Sequence, residues 1–491
     1  MDKIIGLDIG TTNIKGELYD ISGRLIDSLS YPYNIYFDKN NKAEQDAQDW
    51  LEITVKILNY FSEKYKNIKT AGLSTQGGTI VPVDKNVIPL RRAITWMDAR
   101  ADTQKDSILK RISADEIYKI TGWKLQSFLP LLQLCWIKEN EENIFDNTFK
   151  YMFVNDFIQE KLCGNSYVDY SNASITMLFD IIKKDWSDKL LNIAGINKSK
   201  LSETQKSDAV VGYFKNEKLS KNCKDILFSN SAHDQYCVAL SSNILNDNKI
   251  LLSTGTSWAI FTNTNKPYFN EYYYSPGVHI LPDKYGLISV VPTGGSVFNW
   301  FLNNFFENEE SKINFLKSTE EEAEKILSLK DDCVFIPLFQ GISGPVWNDK
   351  IKGSFENLSF DITRVNLFKA ILEGVAFQVR WIFNSMIKLG IKIDSIKMIG
   401  GTAKSRLQCQ ILSDITGLPV YLPKNMKLNY ACRGAAMLAG VSTRIYKNFK
   451  SVNDVFREEE LIIFPREEFK DYYLDKFEKY LKIVNKNLQT L

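Results

Sequence analysis

The first sixteen residues, M-D-K-I-I-G-L-D-I-G-T-T-N-I-K-G, join a strand pattern to the side chains of an anion clamp. Ile4, Ile5, Leu7 and Ile9 form an apolar run of strand length. Gly10 permits a tight turn. Thr11 and Thr12 then offer hydroxyls and backbone N–H groups to an anion, and Lys15 adds positive charge nearby. Asp8 ends the strand, where a carboxylate can hold Mg²⁺ through water. The arrangement recurs at residues 249–261, K-I-L-L-S-T-G-T-S-W-A-I-F, with Gly255-Thr256 in the turn. Two such turns about half a chain apart are expected of two related lobes meeting at one nucleotide. In M-I-G-G-T-A-K-S, Gly400 and Gly401 end a third strand just before a helix, a candidate seat for base and ribose. Any one of these turns could be an ordinary strand end. Three in this order favour a nucleotide cleft.

The catalytic candidate is Asp234 in A-H-D-Q-Y, after a short strand and before the apolar C-V-A-L. Phosphoryl transfer to a hydroxyl requires a carboxylate within hydrogen-bond reach of that hydroxyl. A helix N-cap is the alternative reading of this Asp. His233 reads as a satisfied structural residue. In I-T-W-M-D-A-R-A, Trp96, Asp98 and Arg100 offer an aromatic face, an acceptor and a donor fork to a polyhydroxylated ligand. The alternative there is an exposed helix-start Asp beside its Arg. L-S-T-Q-G-G-T brings Gln76 and Gly77 to a strand end, or to a plain hairpin.

These residues need elements to hold them. Residues 47–65 carry Trp50, Leu51, Thr54, Leu58 and Phe61 on one helical side. Residues 70–83 read as strand, turn and strand through Gly77-Gly78. Residues 101–160 are mostly helical, and residues 224–228 form a short strand that delivers S-N-S-A-H-D-Q. Helices are expected at 366–389 and 405–416, the latter ended by Gly417 ahead of the strand L-P-V-Y-L. Strands alternating with helices indicate an α/β architecture.

At 491 residues two large domains are expected. The predicted division is 1–244, 245–450 and a charged helical cap at 451–491, with the lobe boundary in the polar stretch 241–248. Apolar residues are 44% and charged residues 24%, values of a soluble globular chain. A net charge of +2 gives no electrostatic case for nucleic acid or an anionic membrane. Seven scattered cysteines without a C-x-x-C pair argue against structural zinc and suit a reducing cytoplasm. No uncharged apolar run reaches the length of a membrane span.

Taken in order, the motifs resemble the FGGY carbohydrate kinases, most nearly xylulokinase-like members. D-I-G-T-T-N-I-K resembles the family's first phosphate motif, S-T-G-T-S its second and M-I-G-G-T-A-K-S its adenosine motif. W-M-D-A-R-A resembles the W-x-D-x-R-A segment and A-H-D-Q the G-x-D catalytic segment. The stretches at 128–140 and 353–377 resemble the two family signatures. The resemblance implies a two-lobed actin-like ATPase fold of duplicated ribonuclease-H-like domains, with the nucleotide in the interlobe cleft. It implies transfer of the ATP γ-phosphate to a hydroxyl of a pentulose-type sugar, or of another ketose, sugar alcohol or aldonate. An actin-like ATPase switch without sugar phosphorylation is the remoter alternative. By motif, Asp234 is the base. Asp8, Thr11, Thr12 and Lys15 meet phosphates, with Asp8 near Mg²⁺. Gly255, Thr256, Gly295, Asn299, Gly400, Gly401 and Ser405 line the nucleotide. Gln76, Gly77, Trp96, Asp98, Arg100 and Gln235 face the sugar. Family members are often dimers, so a homodimer is among the expectations.

Overall fold

The computed structural model describes residues 1–38, 41–245 and 248–489. Part of the expected lobe boundary, residues 246 and 247, lies outside the described residues, as do the last two residues of the expected cap. In the N-terminal half, β1 (Lys3–Ile9), β2 (Asn13–Asp20), β3 (Leu25–Pro32), β4 (Ile68–Thr75), β5 (Val210–Tyr213) and β6 (Leu227–His233) form one sheet. Its spatial order is β5-β6-β4-β1-β2-β3. In the C-terminal half, β7 (Lys249–Thr254), β8 (Trp258–Thr264), β9 (Ser275–Val278), β10 (Tyr285–Val291), β11 (Ser395–Gly400), β12 (Val420–Pro423) and β13 (Glu460–Ile463) form a second, in the order β9-β10-β8-β7-β11-β12-β13.

The two sheets share one plan. β1 pairs antiparallel with β2 and parallel with β4, which pairs parallel with β6. Likewise β7 pairs antiparallel with β8 and parallel with β11, which pairs parallel with β12. The repeat seen in the Gly-Thr turns is therefore a repeat of sheets. The central parallel strands are covered on both faces, which explains their continuous apolar runs; β1 is buried from Ile4 to Ile9. β3, at the sheet edge, alternates instead.

Helices cover these sheets. Ala47–Lys64 is N-capped by Asp46 and buries Trp50, Leu51, Leu58 and Phe61. Arg364–Lys388 starts at a Thr363–Asn366 capping box, and Arg406–Thr416 runs from its Ser405 cap to left-handed Gly417. The helix Tyr430–Ser442 belongs to the C-terminal half of the sequence, yet it lies on β1 and β4 and against the helix Asp234–Ser241. One buried cluster accordingly joins Ile4, Ala232, Cys237 and Leu240 to Leu251, Ala435 and Met437. This packing ties the two halves together directly behind the strand ends that carry Asp8 and Asp234.

Residues 70–83 are strand, turn and strand as expected, and the two strands do not pair as a hairpin: β4 belongs to the first sheet, whereas Ile80–Val83 belongs to a separate five-stranded sheet. The chain passes between them at Gly77-Gly78. Gly78 has φ of 70°, and a Cβ on Gly77 would come within 2.6 Å of His233 and Ile175. The short strand at 224–228 is the longer β6, which includes Ser229, Asn230 and Ser231. Those polar residues are buried because partners satisfy them; Ser231 Oγ donates to Asp169 at 2.8 Å. The region 451–491 is not a purely helical cap. It contributes the edge strand β13, and its helix Lys470–Gln489 buries Tyr473, Phe477, Tyr480 and Val484 in the C-terminal core.

Candidate active site

Three adjacent parallel strands end at one level. Asp8 stands level with Ser74, and Ser74 with Ala232; Ile9, Thr75 and His233 form the next row. Gly10, Gln76 and Asp234 follow on β1, β4 and β6. Ligands of open α/β sheets gather at such carboxyl ends. Asp234 opens the helix Asp234–Ser241, and its side chain is 31% exposed. The His233 Nε2 lies 3.3 Å from Asp234 Oδ1.

Asp8 is buried and accepts a hydrogen bond from Ser74 Oγ at 2.9 Å. Lys15 faces it across the β1–β2 ladder. Burial, then the charge of Asp234, push the Asp8 carboxyl up to about 7, against the opposing pull of Lys15 and Ser74. Among the described residues no cluster of three or more His, Cys, Asp or Glu could hold a metal by itself. Mg²⁺ commonly uses one or two carboxylates together with substrate phosphates, and a lone buried Asp8 beside an anion-binding turn fits that pattern.

The turn after β1 is closed by the Gly10 N–H donating to Asn13 O at 3.1 Å. Thr12 is exposed there, and Thr11 is half-buried. A polar chain links this turn to the neighbouring strand end. Gln76 Nε2 donates to Gln45 Oε1 at 2.7 Å, and Gln45 Nε2 donates to Thr11 O at 2.7 Å. Trp96 Nε1 donates to Thr11 Oγ1 at 3.1 Å.

Thr11, Gln76, Gly77, Trp96, Asp234 and Gln235 all line one cavity of about 540 Å³. The Oε1 atoms of Gln76 and Gln235 are buried without a hydrogen-bond partner among the described residues. Such atoms are costly unless a ligand or water answers them. The opposite wall comes from the C-terminal half and includes Ser257, Tyr273, Gln340 and Trp347. The cavity therefore lies between the halves. Sequence reasoning missed this wall, together with Trp123, Lys124 and Gln126 on the near side. Ser257 alone belongs to a motif, as the last residue of S-T-G-T-S, and only the fold brings it together with the others.

Asp98 and Arg100 are not part of this cavity. Asp98 is fully buried and accepts from the Ala43 N–H at 2.6 Å and from Arg100 Nε and Nη2 at 2.9 and 2.7 Å. Arg100 also donates to Glu44 at 2.7 Å. The hydrogen bonds shown for Asp98 are all made inside the protein, so the pair expected to face the sugar does not line the cavity that holds Asp234. Of the W-M-D-A-R segment, only Trp96 reaches the cavity.

On the C-terminal side, Gly255, Thr256, Gly400 and Gly401 form an exposed group where β7 and β11 end. The Gly401 N–H donates to Thr254 O at 3.0 Å. Gly295 packs on the first turn so closely that a Cβ would sit 1.9 Å from Gly255 O, while its N–H donates to Thr256 O at 2.9 Å. Asn299 is exposed about one turn further along the helix Ser296–Phe305. Ser405 caps its helix and donates to Glu320 at 2.5 Å, and Glu320 also accepts from the Arg406 N–H at 3.0 Å. These glycine-lined turns leave uncovered backbone of the kind that cradles a nucleotide.

Comparison with known proteins agrees with this architecture. Residues 3–241 match the N-terminal domain, and residues 250–443 the C-terminal domain, of the FGGY family of carbohydrate kinases. A xylulose kinase of Staphylococcus xylosus is 26% identical over 98% of this chain and 100% of its own. A gluconokinase of Bacillus subtilis is 27% identical over 92% and 90%. Among solved structures, glycerol kinase of Plasmodium falciparum with ADP superposes with a TM-score of 0.90 over 98% of each chain at 23% identity. Xylulose kinase of Lactobacillus acidophilus gives 0.89 over 99% and 98% at 24%. The fold is the two-lobed actin-like ATPase fold, and the chain belongs to the FGGY family of carbohydrate kinases, phosphotransferases with an alcohol as acceptor.

Proposed function

We propose that the protein transfers the γ-phosphoryl group of ATP to a hydroxyl of a polyhydroxylated five- or six-carbon acceptor, with Asp234 as base. The observation that carries this reading is the shared cavity: Asp234 lies with two unanswered amide oxygens within reach of the Thr11 turn. The N-terminal half holds the acceptor, and the C-terminal glycine turns hold the nucleotide. Asp234 accepts the hydroxyl proton as the new O–P bond forms and the bond to the β-phosphate oxygen breaks, releasing ADP. Thr11, Thr12 and Lys15 orient the phosphates. Mg²⁺, held through Asp8 and the phosphates, would neutralise their charge. Approach of the two cavity walls excludes water and aligns donor with acceptor.

Pentulose-type acceptors are supported by the xylulose kinases among the relatives, and aldonates by the gluconokinases. The seven unpaired, buried cysteines support a cytoplasmic setting. Among the described residues no helix is long and apolar enough to cross a membrane. A homodimer remains a proposal drawn from the family alone. The test is a coupled ADP-release screen over pentuloses, hexuloses, polyols and aldonates. ADP release that rises with one acceptor, with equimolar phosphorylated product, is the expected result. Release that no acceptor stimulates would point to an ATPase switch.

A further inference from the structure

Lys124 follows the left-handed Gly122 that ends the helix Ala114–Thr121, and its side chain enters the cavity that holds Asp234. Its ammonium stands 4.2 Å from the centroid of Trp347 and 5.2 Å from that of Tyr273, both from the opposite wall. Among the described residues it makes no ion pair and no hydrogen bond. Ring faces attract an ammonium, yet they offer no acceptor aligned with its three N–H donors. Removal from water pushes the Lys124 ammonium below the usual lysine range, with the charge of Asp349 opposing.

We infer that the acceptor carries a carboxylate and that Lys124 receives it: this half-buried cation, without an acceptor of its own and in the same cavity as Asp234, selects an aldonate over a neutral ketose or polyol. The inference rests on the phosphotransfer reading and narrows it. One ammonium answers one carboxylate charge, whereas a phosphate dianion would leave half its charge unpaired in a cavity shared with Asp234. The same electrostatics orient the substrate. Asp234 repels the carboxylate and Lys124 attracts it, so a hydroxyl remote from the carboxylate is presented to the base. Lys124 is thus a specificity residue.

The test compares D-gluconate with D-glucitol, the same six-carbon chain with CH₂OH in place of the carboxylate, and with D-xylulose. ADP release is measured for the wild type, Lys124→Met and Lys124→Arg, and binding of D-gluconate and D-glucitol to the wild type is followed by calorimetry. The wild type should favour gluconate in kcat/KM. Lys124→Met should cut that value on gluconate by about 10- to 100-fold, chiefly through KM, and by at least about tenfold more than on glucitol. Lys124→Arg should recover part of the loss. A wild type that prefers xylulose or glucitol overturns the inference and leaves the kinase reading standing. An equal loss on charged and neutral acceptors also overturns it, since it assigns Lys124 to holding the walls together. If no acceptor stimulates ADP release, the phosphotransfer reading falls and this inference with it. Should the variants fail to fold, the calorimetry decides: gluconate must bind more tightly than glucitol.

Discussion

Asp8 and Asp234 stand at the ends of two parallel strands with one strand between them, and after burial the charge of Asp234 is the largest influence raising Asp8 to about 7. An acid with a folded-state pKa above its ordinary 3.8 keeps its proton longer when folded. The folded state is therefore penalised as pH rises above about 4, and the penalty levels off above about 7. Asp8→Asn removes it. The melting temperature of the variant relative to wild type should climb across that window, by roughly 1–2 °C for each kcal/mol relieved. A difference independent of pH would refute the raised Asp8 pKa. Mg²⁺ with ATP should stabilise the wild type more than the variant.

Asp234→Asn preserves the helix start and the cavity shape while removing the proton acceptor. Turnover should fall by about 10²- to 10⁴-fold. Nucleotide affinity, followed by calorimetry with ADP, should change little, because Asp234 meets the acceptor hydroxyl and not the phosphates oriented by Thr11, Thr12 and Lys15. Near-normal turnover would remove Asp234 from the base role and return it to helix capping.

The Asp98–Arg100 pair makes a stability prediction instead of a substrate prediction. Asp98→Asn leaves Arg100 buried with its main partner neutralised, and such losses cost about 3–5 kcal/mol. Denaturant unfolding should show the loss. The KM for the acceptor, measured on the folded fraction, should stay near that of the wild type. A large rise in KM with intact stability would restore the pair to the sugar site.

Gly295→Ala forces a methyl group against the carbonyl of Gly255. The second phosphate turn must shift to accommodate it, a strain of about 1–3 kcal/mol. ADP affinity should fall, by about 5- to 150-fold if that strain is expressed in binding. Acceptor binding without nucleotide should hold. Unchanged ADP affinity would show that this turn does not meet the nucleotide.

Much of the local plan was legible because the chemistry that marks it is local. An apolar run stopped by Gly-Thr announces a strand end, and Ser405 with Gly417 brackets a helix through capping alone. Polar strands hide from such reading. Ser229, Asn230 and Ser231 look like loop, and become strand only because Asp169 and other buried partners answer them. Asp98 and Arg100 mislead in the opposite sense. Their side chains suit a sugar, but Ala43 and Glu44, more than fifty residues earlier, consume their hydrogen-bonding capacity.

The sequence by itself determined two Gly-Thr strand ends half a chain apart, the glycine pair at 400–401 and the acid at 234, since periodicity, turn chemistry and order are properties of a linear string. Tertiary structure alone decided that Gln76, Asp234, Lys124 and Trp347 share one cavity, and that Asp8 sits buried beside a second carboxylate. Charge, burial and hydrogen-bond satisfaction depend on distances through space, and those are set by how the two sheets and the helix Tyr430–Ser442 pack.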